Sequence, residues 1–101
     1  MKSMPRHLFN VVMKRGSLVH TPHLSLKKLS LPGEHVSVVV SRKVLASAVA
    51  RNTLKRRIRA IAAESGIKDM HGIFFAKKGA GALSIADLKD EALGVLKKSR
   101  G

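Results

Sequence analysis

The sequence predicts an α/β (α+β) two-layer sandwich, a small mixed sheet with the element order helix, strands, helix, strand, helix. Three observations carry this. The run from Val36 to Ser41 is β-branched and bounded by turn residues, the pattern of a strand buried on at least one face. After Arg42 and Lys43 the apolar period changes from two to near four, so that Ala46, Ala50, Leu54, Ile58 and Ile61 share one side of a helix running from about Ala46 to Glu64. A second apolar run, Ile73 to Ala76 within His71 to Lys77, reads as a further short strand. Strand, long helix and strand in one sheet make a crossover unit.

The remaining elements follow in chain order. Leu8, Phe9, Val12 and Met13 form one apolar stripe on a helix from Pro5 to Arg15, with Pro5 acceptable in its first turn and Gly16 ending it as a cap. From Ser17 to Leu31 the pattern loosens, although Leu24 and Leu26 alternate with polar neighbours as in a half-buried strand. Pro32-Gly33-Glu34 is a turn. Ser47 is a candidate N-cap that would move the start of the long helix by a residue or two, and Ser65-Gly66 stops it. Lys78-Gly79-Ala80-Gly81 reads as a flexible connection. Ser84 then caps a last helix, with Asp87 three residues on and Ile85, Leu88, Ala92 and Val95 as its inner face.

A length of 101 residues, 45% of them hydrophobic, suits a single domain over residues 1–101 with one modest core. Twenty Lys and Arg against six Asp and Glu give a net charge of +14, far beyond what solubility needs, and this points to a polyanionic partner. A membrane is not expected: no stretch approaches the roughly 18 apolar residues of a spanning helix, and Met1 to Arg6 leads into no signal-like region. The reading is a soluble, cytoplasmic protein. The absence of Cys removes disulfides and thiolate metal sites. The histidines are scattered singly; His20 and His23 approach each other across a turn without an evident third ligand, so no metal bound by the chain is expected.

The charge concentrates between Arg51 and Arg59. On a helix, Arg51, Lys55 and Arg59 fall at i, i+4 and i+8 along one line, with Asn52 and Arg56 on the adjoining line and Leu54, Ile58 and Ile61 to the side. Arg forks two bonds to one phosphate, and Asn suits a ribose hydroxyl or a base edge. A solvated charged face is the ordinary explanation of such a run. Here like charges at i, i+4 oppose the helix by a few tenths of a kcal/mol per pair, and among nearby acids only Glu64 offers relief. A ligand that neutralises the face accounts for it better.

Ser41-Arg42-Lys43, a short Ala/Val-containing spacer, then Arg51-Asn52, Lys55-Arg56 and Arg59 resemble the signature of the bacterial ribonuclease P protein subunit family. Phe9 to Gly16, Ile73 to Lys77 and Ser84 to Lys97 look like the family's first helix, the strand after its basic helix, and its closing helix. The resemblance implies a subunit that does not itself hold the catalytic centre. A ribonuclease P RNA would carry it, with Mg2+, and remove the 5′ leader of precursor tRNA. By position, Arg42, Lys43, Arg51, Asn52, Lys55, Arg56 and Arg59 would contact the catalytic RNA. Phe9, Met13, Arg15 and Lys27 would sit in or beside a leader cleft lined by the sheet and the first helix. The sequence departs from the family pattern at Thr53, where a third cation is expected, and Arg57 adds one on a different side. With 3% aromatics, and Met13 and Lys27 where rings are frequent, leader contact should rest more on charge than on stacking, which is worth roughly 1–3 kcal/mol per base.

Other classes fit less well. A ribosomal or general RNA-binding protein shares the charge and size, but would not affect precursor cleavage. A DNA-binding helix-turn-helix needs a short preceding helix, and a β-branched strand stands there instead; a basic zipper needs heptads beyond Gly66. A self-sufficient nuclease needs clustered carboxylates or a His pair. Glu34, Glu64, Asp69, Asp87, Asp90 and Glu91 form no recognisable ligand cluster.

Overall fold

The computed structural model describes residues 2–98. Its elements are β1 (Lys2–Ser3), α1 (Arg6–Arg15), β2 (Ser17–His20), β3 (Leu24–Ser30), β4 (Glu34–Val39), α2 (Ala48–Glu64), β5 (Met70–Ala76) and α3 (Ile85–Lys98), with a short 3-10 turn at Ala80–Ala82. The strands form one mixed sheet in the order β1-β4-β5-β3-β2. Strands β4 and β5 run parallel, as the crossover through α2 requires, while β2, β3 and β5 are antiparallel neighbours. The α/β sandwich expected from the periodicities is therefore present.

Side chains alternate across each strand and give the two faces different fates. Leu24, Leu26, Val36, Val38, Met70 and Phe74 point to one side and form a core with Leu54, Ile58 and Ile61 of α2 and Leu88, Ala92, Val95 and Leu96 of α3. Helix α1 packs on β3 and β5, and its buried Val12, like Ile73 of β5, lies outside that core. The intervening residues of the same strands thus face α1. Gly16 makes the exit from α1 fit, because a Cβ there would lie 2.6 Å from the Val12 carbonyl oxygen and against the Lys27 stem. Its backbone is extended, at φ −72°, so it is space and not a left-handed turn that calls for glycine.

Several boundaries differ from the sequence expectation. Strands β1 and β2 were not foreseen: β1 has two residues, and the edge strand β2 has three of its four residues exposed and no alternation to betray it. Helix α2 begins at Ala48, with Ser47 as N-cap accepting from the Ala50 N–H at 3.2 Å, so Ala46 is exposed ahead of the helix and off its inner face. Strand β4 ends at Val39, short of Ser41, and Glu34 belongs to the strand while Gly33, at φ +94°, makes the turn. Strand β5 starts at Met70 and ends at Ala76. Ser84 does cap α3, accepting from the Asp87 N–H at 3.0 Å. Ile85 is not on its inner face: it is the first helical residue and is 62% exposed. The stretch expected to be a flexible connection is fastened instead, with Ala80 buried and Gly81 seated against Leu45, where a Cβ would approach to 2.6 Å.

Candidate nucleic-acid interface

Burial of Leu54, Ile58, Ile61 and Ala62 fixes the rotation of α2 and turns its cations outward. Asn52, Lys55, Arg56 and Arg59 line a shallow concavity of about 470 Å³ together with Val49, an apolar side chain 76% exposed at the start of the helix. Arg57 lies round the helix beside Leu45, Thr53, Gly81 and Leu83. Thr53, which takes the place of an expected cation, donates its hydroxyl to the Val49 carbonyl at 2.9 Å and so turns back on its own helix.

Arg51 does not join this concavity. Its Nη1 donates to the carbonyls of Leu45 at 2.9 Å and Ala46 at 2.8 Å, folding the guanidinium onto the loop that enters α2. The expected line of Arg51, Lys55 and Arg59 is therefore split between a loop clamp and an open cationic surface. Arg42 and Lys43 are exposed in that loop, in a turn closed by the Val44 and Leu45 N–H groups donating to the Ser41 carbonyl at 3.1 Å each.

Among the residues whose side chains are described, the one salt bridge joins His23 and Glu91, so no Lys or Arg of that set is paired with a carboxylate. The first turn of α2 holds no acid either, leaving its positive dipole end unopposed. A polyanion is what such a surface attracts.

The face of the sheet turned toward α1 carries the second group of expected residues. Phe9 and Met13 are half-buried on α1, Arg15 is exposed in its last turn, and Lys27 is half-buried with its stem against Gly16. Cross-strand register adds a row that the sequence reading missed: His20 pairs with Ser25, Ser25 with Phe75, and Phe75 with Val39. His20 and Val39 are exposed and Phe75 is half-buried. Ser25 is buried and its hydroxyl meets His20 Nδ1 at 2.8 Å, tethering the ring across two strands. The signal was present, since Phe75 follows an inward Phe74 in a strand, but His20 and Ser25 meet only through the β2–β3 hairpin. Phe74 is wholly core.

The histidines that the sequence placed near each other take separate partners. His23 Nδ1–H donates to Glu91 Oε1 at 2.9 Å, and Glu91 Oε2 accepts from the His23 backbone N–H and from the Thr21 hydroxyl, both at 2.7 Å. Burial alone would raise the Glu91 carboxyl, but these bonds and the charge of the His23 ring outweigh it and hold the group below its usual value. Glu91 is thus a clamp between α3 and the β2–β3 turn, not a free helix-face acid. At the other end of the sheet His71 is buried and donates Nε2–H to the Pro32 carbonyl at 3.0 Å, while its Nδ1 shares a hydrogen bond with His35 Nδ1 at 3.1 Å and the two rings stack. Among the described residues no group of three or more His, Asp and Glu converges to hold a metal ion. No described helix is long and apolar enough to cross a membrane.

The sequence model of the family described as Ribonuclease P matches residues 4–100. A ribonuclease P protein component of Streptococcus pneumoniae (strain Hungary19A-6) is 33% identical over 96 residues, spanning 91% of this chain and 78% of that protein. Among solved structures, the ribonuclease P protein of Thermotoga maritima is similar with a TM-score of 0.86 at 20% identity, over 100% of both chains. That of Staphylococcus aureus gives 0.84 at 22% identity, over 98% of this chain and 94% of the other. At such identities the two structures speak for the fold alone.

Proposed function

The chain belongs to the ribonuclease P protein family and is thereby a protein subunit of a tRNA-processing endoribonuclease; we propose that it lends that particle cations and a surface for unpaired RNA, while the catalytic centre lies on the RNA. The observation that carries this reading is the concavity of Asn52, Lys55, Arg56 and Arg59, whose charges have no carboxylate partner. Arg side chains there fork to phosphate oxygens, Lys supplies a mobile point charge, and Asn52 reaches a ribose hydroxyl or base edge. Arg42 and Lys43 extend the cationic surface past the end of β4.

On the opposite side of the sheet, α1 with Phe9, Met13 and Arg15 packs on the face that carries Lys27 and the row of His20, Ser25, Phe75 and Val39. This face would take the 5′ leader of precursor tRNA, by charge at Arg15 and Lys27 and by stacking at Phe75 and His20. A precursor would then gain contacts that mature tRNA lacks. Mg2+ would be held by the RNA, and the protein would lower the concentration needed by screening phosphates in its place. A cytoplasmic location accords with such a role.

The test is cleavage of labelled precursor tRNA by a bacterial ribonuclease P RNA at low magnesium, with and without the protein, beside the protein alone. Stimulation only when both are present, with the cut at the mature 5′ end, is expected. Tight RNA binding without stimulation would instead favour a ribosomal or general RNA-binding protein.

A further inference from the structure

We propose that Arg51 is a positioning residue, which serves RNA binding by holding the loop that carries Arg42 and Lys43 and not by contacting phosphate itself. The inference rests on the RNA-binding reading above. Its ground is the bridge from one guanidinium nitrogen to two successive carbonyls, Leu45 at 2.9 Å and Ala46 at 2.8 Å. Both hydrogens of Nη1 are used in this way.

The location explains why the bridge is needed. Arg51 sits in the opening turns of α2, where the helix dipole is positive and no acid is present, so a cation there is repelled unless oxygen atoms surround it. The two loop carbonyls provide them. In return, the loop between β4 and α2 gains an anchor on the helix it precedes. Its other fastenings lie on either side: the turn closed on the Ser41 carbonyl, the Leu45 side chain against Gly81, and the Ser47 cap. Arg42 and Lys43, within the turn and exposed, make no anchoring bond of their own among the described residues. Their placement relative to Lys55, Arg56 and Arg59 therefore depends on what holds the backbone beneath them. Without the clamp they still carry charge, but they meet the RNA from a mobile loop and lose affinity through ordering entropy.

The experiment is a set of double-mutant cycles on affinity for a bacterial ribonuclease P RNA, using the full chain. Arg51→Ala should weaken binding on the order of tenfold in the parent. In an Arg42→Ala/Lys43→Ala background the same change should have little further effect, and in a Lys55→Ala background it should keep its full effect. Arg51→Lys, which retains the charge without the planar fork, should resemble Arg51→Ala. Hydrogen exchange at the Val44 and Leu45 amides, measured without RNA, should quicken in both Arg51 variants and remain unchanged in Lys55→Ala. Full rescue by Arg51→Lys, or additivity with Arg42→Ala/Lys43→Ala, would make Arg51 a direct phosphate contact and overturn the inference alone. Unchanged RNA affinity in Lys55→Ala and in Arg42→Ala/Lys43→Ala would overturn the RNA-binding reading with it.

Discussion

The two faces of the sheet are made by alternate residues of the same strands, yet one is closed and the other is only half covered. Toward α2 and α3, Leu24, Leu26, Val36, Val38, Met70 and Phe74 are buried to within a few percent of complete. Toward α1, Val12 and Ile73 are equally buried, but His20 and Val39 remain exposed and Phe75 half-buried. Stability and the proposed recognition are thus divided between faces. The closed side supplies the apolar burial that folds a small domain, and this lets the other side, and the outer surface of α2, keep unpaired charge and accessible rings.

Substitutions on the closed side should be the most damaging. Leu54→Ala removes a side chain that is 4% exposed at the helix-sheet contact, and should lower stability by roughly 2–5 kcal/mol. A denaturant melt matching the parent would mean that α2 is rotated differently. On the α1 side, Gly16→Ala should have a smaller effect, about 1–3 kcal/mol, because the Val12 carbonyl must move from a Cβ that would lie 2.6 Å away. An unaffected melting temperature would show that α1 leaves the sheet by another path.

A third prediction tests the clamp that joins α3 to the β2–β3 turn, at the edge of both faces. The Glu91 carboxyl is held below its ordinary value of 4.5, so its contribution to stability is complete above the unfolded value and disappears as pH falls through the folded one. Glu91→Gln should therefore be less stable at neutral pH. It should also lose less stability than the parent between about pH 6 and about pH 3. Parallel pH profiles for the two proteins would remove the charge from the clamp.

How much of this was legible in the sequence depended on how local the cause was. The periodicity of Leu54, Ile58 and Ile61 sets the rotation of α2 from adjacent turns alone, and the Ser47 and Ser84 caps act within three residues. The β-branched run of β4 identifies itself. Strand β2 does not, because an exposed edge strand needs its partner and not its own pattern. The Glu91 clamp joins residues 68 apart in the chain, and the row of His20, Ser25, Phe75 and Val39 exists only once four strands are in register. The tether of Arg51 is hidden for a different reason. Its charge and helical position are plain in the sequence, but the carbonyls that capture it are oriented by the loop path, which residue types do not specify. The helical spacing accordingly anticipates that Lys55, Arg56 and Arg59 lie together on one outer surface, and it does not anticipate that Arg51 folds back onto the entering loop.

We propose that the outer surface of α2 neutralises RNA phosphates, and the salt dependence of binding to a bacterial ribonuclease P RNA tests this for the parent and for Lys55→Ala/Arg56→Ala/Arg59→Ala. These side chains line the concavity and form no side-chain hydrogen bond or ion pair among the described residues. The triple variant should melt close to the parent, bind more weakly, and show a log K against log salt slope shallower by roughly 2 to 3 units. A folded variant with the parent's affinity and slope would place the RNA elsewhere and contradict the account.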